Sequence, residues 1–227
     1  MWSRAVADQE YSANARRPLI ILLADITSNE VLPDNLKPLE AWAFYDVDVY
    51  ALDYYRGSPA SPAWGGTVQG VGTRINTLAE KHGSSVAVVI GMGGGAAVGL
   101  RALQLYVSTP CAFVGVNGVY NLNETDELSQ AVQNAFNVFC SGSDEADRVI
   151  GAYTTQMSCE ARENTVNSLF IASETTSDVN NQQSVRMDQD ATILEGKTES
   201  ISLYDSSCFP HVIGFICDAH KKALTSG

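Results

Sequence analysis

The chain has 227 residues, 45% apolar and 18% charged, an ordinary balance for a globular protein long enough to bury a full-sized core. Lys and Arg number 14 against 26 Asp and Glu, a formal net charge of −12. A surface of that sign repels phosphate backbones and anionic headgroups, which argues against nucleic acid and membrane surfaces as partners.

The chain begins MWSRAVADQEYSANARRP, with no apolar centre and with Asp8 and Glu10, so neither a signal peptide nor a transit peptide is expected. Short apolar runs then alternate with helix-like segments. Strands are expected at Leu19–Ala24, Val47–Leu52, Val86–Ile90, Cys111–Val116, Ser168–Ala172 and Ser200–Tyr204. Helices are expected at about 36–44, 67–82, 96–107, 183–193 and 211–223. One region breaks the alternation: residues 121–167 are polar, helix-prone and lack a strand, which suits a helical, cap-like insertion. The apolar run Val86–Leu100 contains five glycines and is too short to cross a bilayer as a helix. No linker divides the chain, so 1–227 reads as one domain, an α/β three-layer sandwich with a mostly parallel sheet.

Cys111, Cys140, Cys159, Cys208 and Cys217 are widely spaced and odd in number. That pattern argues against a disulfide framework or a metal site and points to a reducing, intracellular compartment, the cytoplasm first. No cofactor is expected. His82 and His220 read as solvated residues on polar helix faces, and Cys208 as a passive thiol.

The sharpest feature is VAVVIGMGGGAAVGLRALQLY, residues 86–106: a strand, a glycine turn and a helix rich in small residues. Gly91, Gly93 and Ala96 formally match the G-x-G-x-x-A turn of a dinucleotide fold, which brings backbone amides onto a pyrophosphate. That reading needs an acidic residue closing the next strand. Here the strand ends Gly115-Val116-Asn117-Gly118, with no acid until Glu124. The same turn also fits a nucleophile elbow, G-x-S-x-G, with Gly91 and Gly95 at the flanking positions and Gly93 where the serine would stand.

The surroundings favour the elbow. Asp53-Tyr54-Tyr55-Arg56-Gly57-Ser58-Pro59, Gly115-Val116-Asn117-Gly118-Val119-Tyr120-Asn121-Leu122 and Tyr11 through Arg16 resemble segments of kynurenine formamidases and hormone-sensitive-lipase-like carboxylesterases of the α/β-hydrolase fold. Ser177-Asp178-Val179 is similar to the loop that bears the catalytic acid, and Phe209-Pro210-His211-Val212 to the loop that bears the histidine. The resemblance covers nearly the whole chain and implies the order nucleophile, acid, histidine at Gly93, Asp178 and His211. It implies a spatial strand order of 2-1-3-4-5-6 for the six expected strands.

Three departures shape the functional expectation. Gly93 carries no hydroxyl, so no acyl-enzyme can form there, and a lost triad serine costs about 10⁶ in turnover. Leu23 is followed by Ala24-Asp25-Ile26-Thr27 where the family has His-Gly-Gly, leaving the Gly94 amide as a residual half of an oxyanion hole. Only 18 residues precede the first core strand, so the antiparallel strands that open this fold are expected to be missing or reduced. That would leave Val47–Leu52 as an open edge, guarded only by Asp48 and in need of a partner. The expectation is a pseudoenzyme: a non-catalytic structural or interaction subunit within a larger assembly, with a vestigial small-molecule pocket. The alternative is a carboxylic ester or arylformamide hydrolase that uses a water activated by Asp178 and His211.

Overall fold

Unbroken apolar runs such as Leu19–Leu23, all five residues buried, become strands covered on both faces, because successive side chains leave a sheet in opposite directions. The computed structural model describes residues 2–4, 17–23, 47–52, 64–83, 86–109, 111–120, 166–173, 183, 184, 187, 192–194, 203 and 206–225. Within them lie, in chain order, β1 (Trp2–Arg4), β2 (Leu19–Leu23), β3 (Asp48–Leu52), α1 (Trp64–His82), β4 (Ala87–Met92), α2 (Gly94–Tyr106), β5 (Cys111–Val116), β6 (Asn167–Ser173), β7 (Thr192–Leu194) and α3 (Phe209–Thr225). The strands form one sheet in the order β1-β3-β2-β4-β5-β6-β7. Every pairing is parallel except β1 with β3.

The pleat sorts the core into two layers. Leu19, Ile21, Leu23, Ala87, Val89 and Phe113 face α1 and α2, packing with Val68, Val71, Ile75 and Leu100. Ile20, Leu22, Val88, Ile90, Val114 and Val116 face α3, packing with Val212, Ile213 and Ile216. Each fully buried branched side chain of this kind contributes roughly 1.5–3 kcal/mol of transfer free energy. Helix, sheet, helix is the three-layer sandwich expected, and the first five expected strands take the expected spatial order.

Three expectations are corrected. First, the Val47–Leu52 edge is not open along its whole length. Trp2, Ser3 and Arg4 pair antiparallel with Leu52, Ala51 and Tyr50, so the N-terminal residues themselves cover that end of the strand. Among the described residues the antiparallel part of the sheet is this one short strand, and Tyr50–Leu52 no longer call for a partner.

Second, among the described residues the last strand is Thr192–Leu194; of the expected strand Ser200–Tyr204 only Leu203 is described, and it lies buried in a turn. Residues 183, 184 and 187 are helical, but 192 and 193, expected to end that helix, belong to β7. The pairing of Thr192 with Ile171 and of Leu194 with Ser173 places it beside β6.

Third, His82 is not solvated and Asp48 is not an outward guard. They are 2% and 3% exposed, and His82 Nε2 lies 2.7 Å from Asp48 Oδ2. Asp48 shares the pleat direction of Tyr50 and Leu52, toward α1, whose last residue is His82. Arg17 Nη1 stands 4.0 Å from the other carboxylate oxygen. The pair joins the C-terminal end of α1 to the beginning of β3. The expected helix at 36–44 and the insertion at 121–167, apart from the latter's last two residues, lie outside the described residues.

Candidate functional site

The turn after β4 is a tight one. Gly93 has φ 51° and ψ −122°, and α2 starts at the next residue. A positive φ of this kind is strained for any residue with a Cβ, by roughly 1–3 kcal/mol, and free of that strain for glycine. Gly91 is glycine for a different reason. A Cβ there would stand 2.6 Å from the Ala96 amide nitrogen and 2.7 Å from the Gly95 carbonyl oxygen, both backbone atoms of the first turn of α2. Strand and helix approach as closely as an elbow requires.

The neighbouring strands hold the turn in place. The Gly93 amide donates to the Val116 carbonyl at 3.1 Å, and the Gly93 carbonyl accepts from Ala96 at 3.2 Å and from Val119 at 3.0 Å. Asn117, with φ 49°, turns the chain after β5 and donates its amide to the Ile171 carbonyl at 2.8 Å. The C-terminal ends of β4, β5 and β6 are thereby tied together around Gly93. Gly94, the expected residual oxyanion amide, is buried at the head of α2.

Behind the turn sits Tyr120, fully buried against Phe170 with ring centroids 5.6 Å apart in an edge-on arrangement. Its amide donates to Gln183 Oε1 at 2.6 Å. Among the described residues its hydroxyl has no hydrogen-bond partner, and burial pushes its pKa far above the usual phenol range. An unpartnered buried hydroxyl costs free energy that a phenyl ring does not, so Tyr120→Phe should raise stability by about 1–2 kcal/mol. Urea unfolding checks this: the midpoint should rise with an unchanged slope. A lower midpoint would mean that the hydroxyl has a partner after all.

His211 lies exposed in the first turn of α3, its amide bonded to the Cys208 carbonyl at 3.1 Å. The last turns of α3 reach residues at the N-terminal ends of β5 and β6, so its first turn, with His211, belongs to the same end of the sheet as Gly93. Cys208 is fully buried and its carbonyl opens α3, which fits a passive thiol and not a nucleophile. Asp178, Asp25 and Ile26 lie outside the described residues. Among the described residues no group of three or more His, Cys, Asp or Glu is placed to hold a metal ion.

No protein-family model matches the sequence, and no curated protein matches it. Solved structures do match the fold. A carboxylesterase structure from the thaumarchaeon Nitrososphaera gargenis aligns over 98% of this chain and 95% of its own, with TM-score 0.63 and 12% identity. Esterase B from Lactobacillus rhamnosis aligns over 100% of this chain and 88% of its own, with TM-score 0.67 and 12% identity. A hormone-sensitive lipase from a metagenome library aligns over 90% and 78%, with TM-score 0.68 and 11% identity. The chain therefore has the α/β-hydrolase fold. No helix among the described residues is long and apolar enough to cross a membrane.

Proposed function

We propose that this α/β-hydrolase-fold protein acts by binding and not by serine catalysis, as an interaction subunit with a vestigial small-molecule pocket at the elbow. One observation carries the reading. The residue at the apex of the turn, at φ 51° and ψ −122°, has no side chain to attack a carbonyl. Covalent hydrolysis by this fold requires a hydroxyl or thiol at that point. The exposed His211 and, by the resemblance, Asp178 read as relics of the triad. The interaction role no longer draws on the β3 edge, which β1 covers at residues 50–52. It rests on the loss of the nucleophile in a fold whose elbow is otherwise kept.

The test is chemical. A fluorophosphonate probe should leave the protein unlabelled, and hydrolysis of p-nitrophenyl acetate or N-formylkynurenine should not exceed that of a His211→Ala control. Saturable turnover that vanishes in His211→Ala would instead support the second reading, a hydrolase with a water activated by Asp178 and His211. A native mass equal to that of the single chain would argue against the subunit role.

A further inference from the structure

We draw no further inference here: the strongest candidate, the Asp48–His82 pair with Arg17 where β3 begins and α1 ends, is closed to any ligand, at 3% and 2% exposure, and belongs to the packing already described.

Discussion

Replacing Asp48 with alanine should lower the free energy of unfolding by about 3–5 kcal/mol, the range seen when one partner of a buried charged contact is removed. The carboxylate is 3% exposed, 2.7 Å from His82 Nε2 and 4.0 Å from Arg17 Nη1. Water cannot substitute for it at such depth, so alanine takes from His82 a partner that the site cannot replace. His82→Ala should cost a similar amount, since it takes from the carboxylate its short hydrogen bond and leaves only Arg17 at 4.0 Å. The double replacement should cost less than the two single costs added together, because the second loss removes a group already left without its mate. Urea unfolding of the three variants measures both the costs and the coupling. A loss below about 1 kcal/mol in Asp48→Ala, the level of a solvated surface pair, would mean that this end of the sheet opens to water in solution.

Restoring the serine, Gly93→Ser, should leave the protein without efficient esterase activity and should also destabilise it. The destabilisation comes from the turn: at φ 51° and ψ −122° a Cβ introduces strain of about 1–3 kcal/mol that glycine avoids. The activity deficit has another origin. Asp25 and Ile26 stand where the resemblance would put the glycines of the oxyanion loop, and a missing oxyanion donor is worth about 10²–10³ in turnover. A carboxylate near developing negative charge adds to that deficit. The variant should therefore label slowly, if at all, with a fluorophosphonate, and turn over p-nitrophenyl acetate at least about 10²-fold below an intact serine esterase. Turnover at the level of a working esterase would show that the Asp25 loop does not disable the site, and would weaken the binding-only reading.

Much of the fold was legible in the residues themselves. LIILL and AVVIGM are continuous apolar runs, and a run buried on both faces can only be a strand inside a covered parallel sheet or part of a buried helix. Their length and the glycines that follow decide for strands. The glycine turn after β4 was legible because its requirements are local: Gly91 is forced by the backbone of Ala96, and Gly93 by its own φ.

His82 was misread although a signal existed. It follows Ile75 and Ala79 at seven and three residues along α1, on the buried stripe, where a polar side chain implies a buried partner. Nothing in sequence pointed to Asp48 as that partner, because 34 residues separate them.

The identity of each continuous element, and the glycine at the elbow, depended on neighbours within a few residues, and for those the amino-acid sequence sufficed. The edges, the buried pair and a depression depended on segments far apart in the chain. Trp2–Arg4 has no periodic pattern and becomes a strand only because β3 offers it unpaired backbone groups. Thr192–Leu194 is too short for a pattern to show and is a strand because β6 lies beside it. The depression lined by Val86, Leu103, Cys111, Asn167 and Lys222 exists where two helix ends and the beginnings of β4, β5 and β6 converge, a juxtaposition that only tertiary packing creates.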